Sequence, residues 1–97
     1  MRKPIKKILE NAVERELVRR VTALGGLCDK VQIIGKRGCF DRLVVLPGAR
    51  IFFIECKRPY GGSISPHQRR YHAELAARGV PVVVINTAAD IDRLLGL

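Results

Sequence analysis

Along the first quarter of the chain, apolar residues return every three or four positions: Ile5, Ile8, Leu9, Ala12, Val13, Leu17, Val18, Val21 and Leu24. That spacing predicts an amphipathic helix from Ile5 to Leu24, which Gly25-Gly26 terminates. The period then changes. Leu27 to Ile34, with Val31, Ile33 and Ile34 β-branched, predicts a strand, followed by a loop through Gly35-Lys36-Arg37-Gly38. Phe40 to Leu46 and Arg50 to Lys57 predict two further strands, joined as a hairpin by the turn Pro47-Gly48-Ala49. After a loop at Arg58-Pro59-Tyr60-Gly61-Gly62, Ser65 and Pro66 mark a helix start, because Ser caps well and Pro suits the first helical position. This helix runs to about Arg78 and stops at Gly79. Pro81 to Ile85 is wholly apolar, the pattern of a buried strand in a mixed sheet, and Asn86 or Thr87 caps a last short helix through Leu95. The predicted order is αβββαβα, an α/β fold with a mixed β-sheet flanked by helices.

With 97 residues, the chain is expected to form one domain, residues 1–97, with one core. No apolar run approaches the roughly 20 residues of a membrane-spanning helix. The start Met1-Arg2-Lys3-Pro4-Ile5-Lys6-Lys7 is basic like that of a signal peptide, but it leads into Glu10, Glu14, Arg15 and Glu16, so no leader is expected. Cys28, Cys39 and Cys56 are odd in number and lack CxxC spacing. They read as reduced, partly buried thiols of a cytoplasmic protein, and a structural zinc site is not expected. The net charge of +9 changes the picture through its placement. Residues 30–70 hold nine basic and two acidic side chains, whereas residues 71–97 hold two basic and three acidic. The two acids of the middle segment are Asp41 and Glu55. A basic surface around two carboxylates suits a polyanion approaching a metal-binding pocket, so nucleic acid is the favoured partner. Charge alone would also fit a basic domain without such a partner.

Asp41 precedes the run Ile54-Glu55-Cys56-Lys57 by fourteen residues at Glu55. Strand alternation sends Glu55 and Lys57 to one face, and the hairpin brings Asp41 opposite that end, within a residue or two of register. Three charges among Val, Ile, Leu and Phe are costly unless a cation or substrate uses them. Mg²⁺ takes oxygen ligands, usually one or two carboxylates with waters and phosphate oxygens. Asp41 and Glu55 are therefore candidate metal ligands, with the Cys56 carbonyl as a backbone ligand. Lys57 would position or deprotonate the attacking water, or stabilise charge developing on phosphate. The alternative is a structural ion-pair cluster at a hairpin end. His67 and His72 are five apart, so they do not share a helix face as a metal pair.

These residues resemble a known family. Gly38-x-x-Asp41, Glu55-x-Lys57 and Gln68 in the next helix are similar to the Asp…(Asp/Glu)-x-Lys signature of the restriction-endonuclease-like superfamily. More closely, the chain resembles the virus-type replication–repair nuclease (VRR-Nuc) group of phages and bacteria. The matching stretches are Glu14-x-x-Leu17-Val18, Gly25-Gly26, Gly38 to Leu43, Leu46-Pro47-Gly48, Phe53 to Arg58 and Ser65-Pro66-x-Gln68. Phe40 stands where the superfamily usually has Pro. The resemblance implies a restriction-endonuclease-like fold and a bacterial or phage-infected cell as its setting. It further implies Glu14 as an extra acid near the metal, in competition with Glu10 and Glu16 or paired with Arg15 or Arg19. Gln68 would sit beside Lys57 and the substrate phosphate as a fourth catalytic residue. Gln68 also completes a capping box with Ser65, and the two roles are expected to exclude one another. Lys36, Arg37, Arg42, Arg58 and Arg69 are candidates for DNA contacts, chiefly to phosphates, although helix arginines such as Arg69 are often simply solvated.

Two classes of function follow. The first is a Mg²⁺-dependent endonuclease, with Mn²⁺ able to substitute, selective for branched DNA and best matched to a four-way junction. No recognition helix or finger is predicted, and the family implies a homodimer that places one site on each of two strands. Flap cutting and duplex nicking are alternatives within that class. The second class is a non-catalytic nucleic-acid-binding module. The intact Asp41, Glu55 and Lys57 set separates the two, since a binding module has no reason to bury it.

Overall fold

The structure, a computed structural model, describes residues 5–36, 40–59 and 62–97, with side chains described from residue 10 onward. Arg37, Gly38, Cys39, Tyr60 and Gly61 therefore lie outside the described residues. Helix α1 (Ile5–Ala23) is followed by β1 (Leu27–Lys30), β2 (Arg42–Leu46), β3 (Arg50–Cys56), α2 (Pro66–Ala77), β4 (Val82–Ile85) and α3 (Ala88–Leu95). The predicted order is the observed one. The four strands form one mixed sheet in the order β1-β2-β3-β4, antiparallel except for the parallel pair β3–β4.

Apolar side chains from alternate strand positions meet α1 and α3 on one face of the sheet. Leu17 and Val21 of α1, Val44 of β2, Ile54 of β3, Ile85 of β4 and Ile91 of α3 are all fully buried there. An ion pair between Arg20 and Asp92 ties α1 to α3. Val13 belongs to this core, so that part of the α1 apolar stripe faces inward. No helix of the described residues is long and apolar enough to cross a membrane.

Gly26 shows how tightly α1 is joined to the sheet. A Cβ there would stand 2.8 Å from the Val45 carbonyl oxygen and 2.9 Å from Leu46 and Val21 side chains, so only glycine lets the chain turn so close to β2. The hairpin turn places Gly48 and Ala49 both at positive φ, 86° and 61°. Ser65 caps α2 with a complete capping box, and Thr87, not Asn86, caps α3 in the same way.

Two expectations are corrected. The strand expected from Leu27 to Ile34 ends at Lys30. Val31 N–H still donates to the Asp41 carbonyl at 3.1 Å, but β2 begins at Arg42, so no partner ladder remains beyond it. Ile34 is accordingly 98% exposed despite its β-branched side chain. The run Pro81 to Ile85 was expected as a buried strand. It forms the sheet edge instead, where Val82, Val83 and Val84 are half-buried and Ile85 alone is fully covered.

Candidate active site

The site lies where β2 begins and β3 ends. Arg42 pairs with Ile54, so the residue before it, Asp41, falls beside Glu55. Asp41 N–H donates to the Ile54 carbonyl at 2.8 Å, and Cys56 N–H donates to Asp41 Oδ2 at 2.7 Å. The backbone of β3 thus fixes one oxygen of the Asp41 carboxylate. Glu55 is 1% exposed, and its Oε2 stands 3.3 Å from Lys57 Nζ. From α2, Gln68 Nε2 donates to Glu55 Oε1 at 3.2 Å, and His72 Nε2 lies 3.9 Å from the same oxygen. Gln68 and His72 are four residues apart, which places both on one helix face over the strand.

Electrostatics follow from this crowding. Burial raises the Glu55 carboxyl to about 7, the nearby Asp41 adds to the rise, and Lys57 opposes it. Glu10, Glu14, Asp41, Glu55, Lys57 and Gln68 line a cavity of about 210 Å³ that reaches from α1 to α2 across the sheet end. Among the described residues, no group of three or more His, Cys, Asp and Glu side chains forms a ready-made metal cage. Mg²⁺ does not require one, since it keeps several waters and relies on one or two carboxylates.

A phage protein described as "Putative nuclease p44", from Acyrthosiphon pisum secondary endosymbiont phage 1, is 42% identical over 88 residues, which is 91% of this chain and 92% of the relative. A solved VRR_NUC domain aligns with a TM-score of 0.83 and 36% identity over 90% of this chain and 94% of that one. The chain belongs to the VRR-Nuc family. No family sequence model matches it.

Within this VRR-Nuc domain, Asp41, Glu55, Lys57 and Gln68 come together as expected. The two roles of Gln68 do not exclude one another. Its carbonyl Oε1 accepts from Ser65 N–H at 3.1 Å to complete the cap, while its amide Nε2 serves Glu55. An amide has an acceptor end and a donor end, so one side chain fills both places. Lys57 Nζ also reaches the Gln68 Oε1 at 3.5 Å. Cys56 contributes through its backbone, for its side chain packs in the core and burial pushes the thiol pKa up.

Glu14 lines the cavity, but its ionic partner is Arg42 at 3.4 Å rather than Arg15 or Arg19. Arg19 pairs instead with Glu16. Glu10 shares the cavity wall, so position does not single out Glu14 from its competitor. The Arg42 guanidinium also donates to the Cys28 carbonyl at 3.1 Å, so it is held between β1 and Glu14 of α1. Lys36 Nζ sits 5.0 Å from the centre of the Tyr71 ring, and Arg69 is exposed on α2. The Arg58 carbonyl accepts from Asn86 Nδ2 at 3.1 Å. Phe40 packs its ring 4.8 Å from that of Phe53, an apolar role that fits its place before Asp41. His72 was not among the expected site residues. The sequence signal for it is Gln68-x-x-x-His72, one helical turn, and not the five-residue spacing from His67.

Proposed function

We propose that this VRR-Nuc chain is a metal-dependent DNA endonuclease selective for branched DNA, with the four-way junction as its best substrate. The observation that carries this reading is Glu55: a carboxylate 1% exposed, crowded by Asp41 and Lys57, and opening into a cavity of about 210 Å³. A purely structural ion pair gains little from such burial, whereas a cation or phosphate would use it. Asp41 and Glu55 are hard oxygen donors pressed together. Their mutual repulsion fits a divalent cation, held by these two with the Cys56 carbonyl and Glu14 as further donors. Mg²⁺, or Mn²⁺ in its place, would supply an activated water and charge neutralisation when bound.

The chain's own residues supply the remaining chemistry. Cys56 N–H holds Asp41 in place, and Gln68 holds Glu55, so neither carboxylate must be ordered when substrate arrives. Lys57, 14% exposed, presents an ammonium beside Glu55 and can hold the attacking water or stabilise charge on the phosphate. The surplus of nine basic over two acidic side chains in residues 30–70, the segment that carries Asp41 and Glu55, favours approach of a polyanion. A homodimer belongs to the proposal, because two symmetric cuts require two sites and a two-fold pair is the simplest assembly that provides them. The deciding experiment incubates purified protein with Mg²⁺ or Mn²⁺ on labelled junction, flap, single-stranded and duplex DNA. Junction cleavage that EDTA abolishes is expected. Undiminished cleavage in EDTA overturns the metal reading, and preference for flaps or nicked duplex replaces the junction reading.

A further inference from the structure

Two larger cavities adjoin the site and are not used by the chemistry above. One, of about 420 Å³, is bounded by Glu14, Lys30, Gln32 and Asp41. The other, of about 560 Å³, lies between α1 and the β1–β2 pair and is bounded by Asn11, Glu14, Arg15, Arg19, Lys30 and Arg42. Their walls are shared. Glu14 borders both and the catalytic cavity, Asp41 borders the smaller one and the catalytic cavity, and Lys30 borders the two larger ones. Together they form a groove that leaves the catalytic cavity along α1.

The far cavity is strongly cationic. Four basic side chains face one acid, and the acid is already engaged by Arg42. Arg19 is engaged by Glu16. Arg15 and Lys30 make no ion pair or hydrogen bond with any described residue and are exposed. Arg42 is the buried member, with a side chain 14% exposed. Its Nη1 and Nη2 are oriented by the Cys28 carbonyl and Glu14, while its buried Nε–H has no acceptor among the described residues. A guanidinium carries five donors and never loses its charge at ordinary pH, so this one keeps its charge at the cleft wall and donors beyond the two engaged by Cys28 and Glu14. A hydrogen-bonded inner arginine with two exposed outer cations is an arrangement suited to an oxyanion with several acceptor oxygens.

We propose that the cleft between α1 and β1–β2 is a phosphate subsite that holds the substrate strand beside the cut. This rests on the nuclease reading, and it names the side of the active site along which the strand runs. The phosphate is either an internal phosphodiester or the terminal monophosphate of a strand end, since the chemistry of recognition is shared.

The test replaces the two outer cations together, Arg15→Ala with Lys30→Ala, because both are exposed and no fold contact is lost. A matched variant, Arg50→Ala with Arg78→Ala, removes the same charge away from the groove. Binding is followed by fluorescence anisotropy in EDTA on junction DNA over a range of salt concentrations, so that no cleavage is needed. The cleft variant is expected to bind at least about 10-fold more weakly, with a salt dependence shallower by roughly two counterions, and the matched variant less than about 2-fold. Equal losses in the two variants, or no loss in the cleft variant on the junction and on nicked duplexes alike, overturn the subsite. Nicked duplexes with a terminal phosphate or a terminal hydroxyl then separate the sources. A loss confined to the phosphorylated nick assigns a strand end, and a loss on all substrates assigns an internal phosphodiester. A protein that never cleaves DNA yet shows the cleft-dependent binding sinks the nuclease reading and leaves the subsite standing.

Discussion

At the scale of single residues, Glu55 links stability to chemistry through one proton. Its carboxyl is raised from an ordinary 4.5 to about 7, so between those values the folded protein holds a proton that the unfolded chain has lost. The stabilisation is fully present below the lower value and disappears as pH rises through the upper one, a loss of about 3 kcal/mol for the metal-free protein. Urea unfolding in EDTA at roughly pH 5 and pH 8 should show that decline, and Glu55→Gln should flatten it. Metal affinity should move the opposite way, rising with pH as the carboxylate forms, so cleavage at subsaturating Mg²⁺ should rise with it. A metal affinity independent of pH across this range would remove Glu55 from the metal-binding role. Asp41→Asn keeps an acceptor for Cys56 N–H but lacks the charge, so it is expected to abolish cleavage while leaving fold and DNA affinity largely intact. Lys57→Ala should slow cleavage by roughly 10²–10⁴-fold, as for a positioned proton-transfer or charge-stabilising group. Wild-type turnover in that variant would reduce Lys57 to a structural cation.

At the scale of elements, α2 carries two functions on one side chain. Ser65→Ala removes the cap and should cost about 1 kcal/mol of stability with little change in rate. Gln68→Ala removes the cap partner and the Glu55 donor together, so it should lower both stability and rate. Equal rates in the two variants would show that the Gln68–Glu55 bond is idle. Gly26→Ala is expected to cost about 1–3 kcal/mol by forcing α1 away from β2, readable as a lower urea midpoint without change of slope. The elements were legible in the sequence wherever local period and punctuation agreed. The α1 repeat before Gly25-Gly26, the hairpin over Pro47-Gly48 and the Ser65-Pro66 start all emerged where their residues placed them. What failed depended on partners distant in sequence. Nothing local in Val31 to Ile34 states that the neighbouring strand begins only at Arg42, and nothing in Val82 to Val84 states that no further strand lies outside them. The Asp41 and Glu55 pairing was readable because a hairpin is local. His72 and the divided role of Gln68 were not, because they depend on how α2 lies across the strand.

At the scale of the whole molecule, the proposed homodimer predicts twice the monomer mass in light scattering at micromolar concentration. A monomer mass both free and on a junction would leave a flap or nicking nuclease as the better reading. The sheet also has a temporal consequence. β1, β2 and β3 join neighbours that follow one another in the chain, but β4 must return across α2 to lie parallel to β3, and Lys57 N–H is tied to the Ile85 carbonyl at 2.9 Å. Loop closure over that crossover is slower than closing a three-residue turn. The hairpin that carries Asp41 and Glu55 should therefore form before the strand that anchors Lys57, and the helix that supplies Gln68 should dock along with β4. In pulse-labelled hydrogen exchange, the amides of β2 are expected to become protected before that of Lys57. A chain emerging from the ribosome would then carry its acids in place, and remain inert, until β4 had followed.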